Sequence, residues 1–176
     1  MKPIINIADA PVLAEMKHGE TFAVHMRGLS DEAGGKSIGA NLTTVPPGKA
    51  AFPFHHHYGV EEHFYILNGK GTLRVGMDTW PVRPGDYIAH PPGGPEHAHQ
   101  LINTGTEDLV YLAISTRVAP EVVGYPDSKK TGVAPLPRSA KEFTRFLVAD
   151  ADRGKLDYWD GEDGSKVSAI LNKGKP

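Results

Sequence analysis

With 176 residues, the chain is long enough to bury a core of its own, and we expect one domain over residues 1–176. Its 19 Lys and Arg nearly balance its 21 Asp and Glu, and the net charge of -2 argues against a nucleic-acid-binding or anionic-membrane-binding protein. Because the chain contains no Cys, disulfide scaffolds and cysteine zinc sites are excluded as well.

The first 40 residues are predicted to contribute strands ahead of the main body of the domain. Ile4, Ile5 and Ile7 favour a short strand, and residues 20–28 alternate apolar and polar side chains as a half-buried strand does. Residues 1–16 lack the continuous apolar run of a signal peptide or a membrane span, so we expect a soluble cytoplasmic protein.

Short strands separated by Gly and Pro turns follow from residue 36 onward. Asn68-Gly69, directly after the apolar run 64–67, is a strong signal for a two-residue hairpin turn. The other predicted strands span residues 36–45, 72–75, 79–83, 87–90, 100–102 and 109–115. Because no convincing helix separates them, we predict an all-β sandwich or barrel with antiparallel sheets.

The last part of the chain, residues 117–176, is a proline-punctuated extension that we expect to wrap the barrel surface. A helix with a capping box that starts at Ser139 and a strand over residues 146–148 are equally compatible with its sequence. Tyr158 and Trp159 are interpreted as a packing anchor on the barrel, with a subunit contact as the alternative.

The stretch from His55 to Glu62 concentrates histidines and glutamates. Because successive residues of a strand point to opposite faces, His55 and His57 share one face and His56 lies on the other. His57 and Glu62 are separated by an odd step of five, so the chain must bend or bulge, for which Gly59 is suited, before their side chains can meet.

Two further polar residues flank Glu62 directly. Glu61 and His63 have the opposite parity to Glu62 in a regular strand. We therefore predict that both face outward into solvent.

A second histidine pair, His97 and His99, repeats the same spacing ahead of an apolar pair. Three imidazoles and one carboxylate suit zinc and mid-series ions such as manganese, iron and nickel, whereas calcium and magnesium prefer oxygen ligands alone. Single histidines are more often surface residues, but two such pairs and a suitably spaced Glu favour a metal site. The spacing leaves open whether His97 or His99 completes the ligand set.

These residues resemble the two motifs of the cupin family. The first motif, G-x5-H-x-H-x3,4-E-x6-G, is matched, with one extra residue after the first glycine, by Gly48, His55, His57, Glu62 and Gly69. The second motif, G-x5-P-x-G-x2-H-x3-N, is matched, with a longer loop before the histidine, by Gly85, Pro91, Gly93, His99 and Asn103. On this basis, residues 41–116 are the expected barrel and residues 1–40 its N-terminal strands.

The resemblance implies a cupin jelly-roll barrel, a double-stranded β-helix, around one divalent metal ion (Mn, Fe, Ni or Zn). The implied ligands are His55, His57, Glu62 and His99. His99 is preferred to His97 because its three-residue spacing to Asn103 is kept. The rest of the sequence looks like a group of small bacterial cupins, some of which are called sugar-phosphate isomerase-like by similarity.

Two kinds of function stay open. Four protein ligands on an octahedral ion leave two positions for a small oxygenated substrate, or for substrate plus dioxygen, with the ion as Lewis acid. A redox metal would permit dioxygenase chemistry, whereas zinc or nickel would favour isomerisation or hydrolysis. His97 is the candidate general acid or base, or else a group that orients a ligand.

The alternative to an enzyme is a binding or sensor barrel that holds a small, sugar-like ligand without turnover. In either case we expect a homodimer with a small-molecule partner and no nucleic-acid or membrane partner.

Overall fold

Thirteen strands and three 3-10 helices make up the described part of the chain. The computed structural model describes residues 3–134, 146–152 and 154. The strands are β1 (Val12–His18), β2 (Phe22–Gly28), β3 (Ile38–Val45), β4 (His56–His57), β5 (Glu62–Asn68), β6 (Gly71–Val75), β7 (Asp78–Val82), β8 (Tyr87–His90), β9 (His99–Ile102), β10 (Leu109–Thr116), β11 (Glu121–Tyr125), β12 (Lys130–Ala134) and β13 (Phe146–Ala149). The 3-10 helices are Ile7–Asp9, Pro95–His97 and Asp150–Asp152, and none of the described helices could span a membrane.

The strands form three sheets in which every pair of named strands is antiparallel. The sheets have the orders β1-β2-β3-β10-β5-β8, β13-β12-β11-β4 and β7-β6-β9. Ala50 forms isolated bridges to Phe22 and to Ile102 and so connects the six-stranded sheet with the three-stranded one. The predicted antiparallel, all-β jelly-roll fold is confirmed, and the strands expected between residues 36 and 115 are found within one or two residues as β3 and β6 to β10.

The core lies between the six-stranded and three-stranded sheets. In the register of β10 against β3, Leu109 pairs with Val45 and Tyr111 with Thr43, and all four side chains are buried. The core cluster draws on both sheets and contains Val24, Val45, Ala51, Phe64, Ile66, Leu73, Val82, Leu101, Leu109 and Tyr111. Burial of a large apolar side chain contributes about 1.5–3 kcal/mol to the free energy of folding. A shift of one residue in the pairing of β10 with β3 would turn these side chains to the other face, so their burial fixes the register.

The N-terminal arm differs from its prediction. The expected strand at Ile4, Ile5 and Ile7 is wrong, because a 3-10 helix begins at Ile7 instead. The side chain of Asn6 accepts a hydrogen bond from the Ala8 N–H at 2.9 Å, which gives the backbone a local alternative to strand pairing. The strand predicted over residues 20–28 is present as β2 and is paired with β1, which the sequence did not reveal.

Asn68-Gly69 does not close a hairpin. The strands on either side of it, β5 and β6, belong to different sheets, so the turn carries the chain from one sheet to the other. Gly69 has a φ of 78°, and a Cβ at this position would lie 2.4 Å from the carbonyl oxygen of Asp108. The glycine is required by this backbone conformation and by the close approach of the Asp108 loop.

The C-terminal extension is more regular than expected, because β11 and β12 form a hairpin and β13 pairs with β12. Phe146–Ala149 is thus a strand, whereas the helix alternative at Ser139 and the anchor predicted at Tyr158 and Trp159 lie outside the described residues. On its other edge β11 pairs with β4, which carries His57. Part of the extension therefore contacts the predicted ligand strand directly.

Candidate metal centre

Four side chains predicted as metal ligands converge in the interior of the barrel. One donor atom from each residue lies within 4.8 Å of the others, and the residues are His55, His57, Glu62 and His99. His97 does not belong to this group, so the structure places His99, of the two histidines left open by spacing, beside the first-motif residues. The fold thus contains a His/Glu group able to bind a metal ion.

Three of the four side chains project into the group from the ends of strands. His57 ends β4, Glu62 begins β5 and His99 begins β9. His55 precedes β4 and is held by reciprocal backbone hydrogen bonds, with the His55 N–H donating to His99 O at 3.2 Å and the His99 N–H to His55 O at 2.8 Å. Residues 58–61 leave the strand conformation, and this bend breaks the alternation and allows Glu62 to face His57.

Each of the three imidazoles is held through its Nδ1 atom. The Nδ1–H of His55 donates to the Pro53 carbonyl oxygen at 2.8 Å, and that of His99 to the His97 carbonyl oxygen at 3.2 Å. His57 Nδ1 lies 2.5 Å from Oε1 of Glu121. Because carbonyl and carboxylate oxygens accept hydrogen bonds, a proton is assigned to Nδ1 in each ring. A metal ion would then bind at Nε2 and displace any proton that this atom carries.

The Nε2 atoms of His57 and His99, two buried residues, meet the carboxylate of the half-buried Glu62. Nε2 of His57 and Nε2 of His99 each lie 3.2 Å from Oε2 of Glu62. The two histidines are 3% and 2% exposed, and His57 Nε2 is a buried atom without a hydrogen-bond partner. A buried polar atom left unsatisfied costs about 1–3 kcal/mol, and a bound cation would satisfy it. The donor set and the orphaned nitrogen therefore both fit a transition metal ion.

The electrostatics of the group favour an ionised carboxylate. Burial alone would raise the pKa of Glu62, but the adjacent His57 and His99 hold the pKa well below its usual value of 4.5. Burial and the neighbouring imidazoles lower the pKa of His55. Burial also lowers the pKa of His57, but the Glu62 and Glu121 carboxylates outweigh it and raise this pKa to about 9. The site thus attracts positive charge to its centre.

His90 is a fourth imidazole of this interior, and sequence reasoning missed it. It lies on β8 opposite Glu62, and its ring stacks on that of His99 with centroids 3.7 Å apart and planes 10° apart. Its Nε2 atom is buried without a hydrogen-bond partner, and burial together with His99 lowers its pKa to about 3. The sequence showed only a histidine at the end of a strand, because the pairing of β8 with β5 is needed to place it.

Glu121 is the second residue that sequence reasoning missed. It begins β11, a strand that the sequence analysis did not predict, and it reaches His57 from a position 64 residues further along the chain. No spacing rule connects two residues that are so far apart, so only the pairing of β11 with β4 brings them together.

His97, the predicted acid or base, lies outside the candidate ligand group. It is the last residue of the 3-10 helix Pro95–His97, and its side chain is 40% exposed with Nε2 3.7 Å from Oε1 of Glu96. Because β9 begins only at His99, strand alternation does not relate the two histidines. A catalytic role for His97 stays a prediction.

Known proteins resemble this chain in fold and in part of its sequence. The cupin domain family matches residues 41–115. The crystal structure of a proposed sugar phosphate isomerase from Acidithiobacillus ferrooxidans superposes with a TM-score of 0.65, is 36% identical, and covers 77% of this chain and 81% of its own. The chain is a cupin. Its membership confirms the resemblance carried by the two motifs.

Two relatives match the cupin over different lengths. Auxin-binding protein 1 of Arabidopsis thaliana is 34% identical over 134 residues, which are 71% of this chain and 65% of that protein. Glucose-6-phosphate isomerase of Thermococcus gammatolerans is 36% identical over 84 residues, which are 41% of this chain and 43% of that protein. The cupin therefore spans less than two thirds of either relative.

Proposed function

We propose that this cupin binds one divalent transition metal ion through His55, His57, Glu62 and His99 and uses it to act on a small oxygenated metabolite. The observation that carries the proposal is the convergence of four donor atoms within 4.8 Å, with the buried Nε2 of His57 left without a hydrogen bond. Three imidazoles and one carboxylate suit manganese, iron, nickel or zinc better than calcium.

The protein residues prepare the site for such an ion. Glu62 supplies the negative charge, while Glu121 and the carbonyl groups of Pro53 and His97 hold the three imidazoles by their Nδ1 atoms. The ring of Phe64 lies 5.9 Å from that of His99 and helps to exclude water. A bound ion would supply Lewis acidity that polarises a substrate carbonyl or hydroxyl group.

The reaction class that we favour is isomerisation of a hydroxy-carbonyl compound such as a sugar. An aldose–ketose isomerisation moves protons between adjacent carbon and oxygen atoms and consumes no oxidant or second substrate. The names of the Acidithiobacillus and Thermococcus proteins support this class.

The second candidate is a barrel that binds a ligand without turnover. It is favoured by the position of His97, which stands 40% exposed and outside the ligand group instead of beside the reacting centre. The similarity to auxin-binding protein 1, which extends over 71% of this chain, supports the same alternative through that relative's name.

The decisive first experiment is metal analysis of untagged protein purified without chelator, beside the Glu62→Ala and His99→Ala variants. We expect about one transition ion per chain in the wild type and loss of the ion in both variants, because each removes one of four donors. Iron would direct the next assay to dioxygen consumption, and zinc, nickel or manganese to aldose and ketose panels followed by NMR. A wild type that rejects every added ion would refute the metal-dependent function.

Turnover separates the two candidates once the metal is known. We expect the loaded protein to interconvert an aldose and its ketose, with the phosphorylated and free sugars assayed side by side. Saturable binding of such a sugar without product would instead establish the binding barrel.

We also propose a single-domain homodimer located in the cytoplasm. Light scattering at several protein concentrations measures the oligomeric state, and a monomeric mass throughout would refute the dimer. Fractionation of cells that express the native gene tests the location.

A further inference from the structure

Glu121 lies outside the segment that identifies the chain as a cupin. The family match ends at residue 115, and Glu121 begins β11 in the C-terminal extension. β11 is hydrogen-bonded on one edge to β12 and on the other to β4, where Val123 pairs with His57. The extension is thus attached to the ligand strand by backbone pairing as well as by this side chain.

The contact between Glu121 and His57 is short and buried. Oε1 of Glu121 lies 2.5 Å from Nδ1 of His57, and the two side chains are 5% and 2% exposed. Hydrogen bonds that involve a charged group are shorter and roughly twice as strong as neutral ones, and burial removes the competing water. The imidazole of His57 is therefore held in one orientation from the side opposite its Nε2 atom.

We infer that Glu121 is a positioning residue for metal binding, through which the C-terminal extension sets the affinity of the site. The inference rests on the proposed metal binding and adds a residue that the two cupin motifs do not contain. Glu121 accepts the hydrogen bond of His57 Nδ1–H and so orients the ring with Nε2 as the nitrogen that would bind the ion. Its carboxylate also places a second buried acidic group next to His57, on the side away from Glu62.

Two substitutions separate these two contributions. Glu121→Gln leaves an amide oxygen that can still accept the Nδ1–H bond of His57, but it removes the charge. Glu121→Ala removes both the charge and the acceptor. The outward-facing pair of Glu61 and His63, whose Oε1 and Nε2 atoms lie 2.9 Å apart, provides the matched control, because Glu61→Gln changes a His–Glu hydrogen bond without touching the ligand group.

The experiment titrates metal-free full-length protein with Co²⁺ and with Zn²⁺ against a competing chelator, and records the visible absorption spectrum of the Co²⁺ form. We expect Glu121→Ala to bind about 10- to 100-fold more weakly than the wild type, the range typical of groups that orient metal ligands. Glu121→Gln should fall between the two, at about 3- to 10-fold, with a Co²⁺ spectrum close to that of the wild type. The Glu61→Gln control should bind within about twofold.

The outcomes distinguish this inference from the proposed function. If the wild type binds neither ion, the metal-binding proposal fails and the inference fails with it. If the wild type binds and a folded Glu121→Ala variant binds equally well, the inference alone is overturned. Should Glu121→Ala not fold by circular dichroism, Glu121→Gln decides: weaker binding supports the inference, and binding equal to that of the wild type overturns it.

Discussion

The two faces of strand β5 carry similar side chains that differ in burial and in hydrogen bonding. Glu62 points inward to the histidines of the candidate ligand group, whereas His63 points outward and joins Glu61 and Tyr87. In this outward trio, the Tyr87 hydroxyl lies 2.7 Å from His63 Nδ1, and Glu61 Oε1 lies 2.9 Å from His63 Nε2. Both nitrogens of His63 are therefore occupied by protein partners.

Burial and unsatisfied bonding capacity, not residue type, separate the two faces. The side chains of His63 and Glu61 are 25% and 46% exposed, and their hydrogen bonds form within reach of water. On the inner face, His57 Nε2 is buried without a hydrogen-bond partner beside an ionised Glu62. A cation gains little at a hydrated, satisfied pair but gains much where a lone pair and a negative charge are kept away from water.

The largest expected difference is in metal affinity, between a variant that lacks the inward carboxylate of Glu62 and one that lacks the outward carboxylate of Glu61. Loss of a group that only orients a ligand typically weakens metal binding about 10- to 100-fold. Glu62→Ala removes a proposed ligand itself, so we expect it to weaken metal binding more than about 100-fold. Glu61→Ala should change the affinity less than about twofold, because it contacts only the outward trio. Competition with a chelator measures both constants, and equal losses in the two variants would invalidate the distinction between the faces.

A smaller effect is expected from crowding the strand that carries His57. A Cβ on Gly124 of β11 would lie 2.1 Å from Nε2 of the buried His56. Gly124→Ala must therefore displace the His56 ring, whose Nδ1 lies 2.9 Å from the Gly93 carbonyl oxygen, or shift β4 or β11. We expect a loss of about 1–3 kcal/mol in the free energy of unfolding, as for other overpacked sites, together with weaker metal binding. Urea unfolding of the metal-free and metal-loaded protein measures both.

Gly59→Ala is the matched control for this crowding. The nearest atom to a Cβ at Gly59 is Cγ1 of Val118 at 3.5 Å, an ordinary contact, so its unfolding free energy should stay close to that of the wild type. If Gly59→Ala destabilised the protein as much as Gly124→Ala, the proximity of β11 to β4 would not be the cause.

A still smaller effect is expected from the outward trio itself. Tyr87→Phe removes a hydrogen bond to His63 from a residue that is 65% exposed. We expect a change of at most about 0.5 kcal/mol in the free energy of unfolding, because water replaces the lost partner at an exposed site. The same urea experiment measures it, and a loss of several kcal/mol would show that the outer face is structural in its own right.

His97→Ala, like Glu61→Ala, is expected to have little effect on metal binding. Its side chain is 40% exposed and outside the ligand group, and its contact with that group is made by the backbone carbonyl to His99 Nδ1. The metal affinity should therefore stay within about twofold of the wild type. Turnover measured on the same preparation then tests the catalytic prediction, since loss of a general acid or base typically costs about 10²–10⁴-fold.

The interior group could be predicted from the sequence because its members lie in two short, motif-bearing stretches. His55 and His57 share a face through local alternation, and the odd step to Glu62 required the bend that the structure shows at residues 58–61. The outward direction of Glu61 and His63 follows from the same parity and is confirmed by their contacts with each other and with Tyr87. Local geometry is sufficient where neighbours in sequence are also neighbours in space.

Other features depended on pairings between distant strands. Asn68-Gly69 has the composition of a hairpin turn, yet β5 and β6 pair with other strands, and no local signal distinguishes the two outcomes. His90 and Glu121 were missed because β8 lies beside β5 and β11 beside β4 only in the folded barrel.

By itself, the sequence determined the all-β class, the positions of most strands and the four residues that converge as candidate ligands. The class and the strand positions follow from local alternation and turn chemistry, whereas the four ligand residues follow from the resemblance to the two cupin motifs. The tertiary structure alone decided which sheet each strand joins, and hence that Glu121 holds His57 from behind and that His90 stacks on His99. The physical reason is that strand partners are selected by burial of the shared core, a property of the whole chain that no single stretch contains.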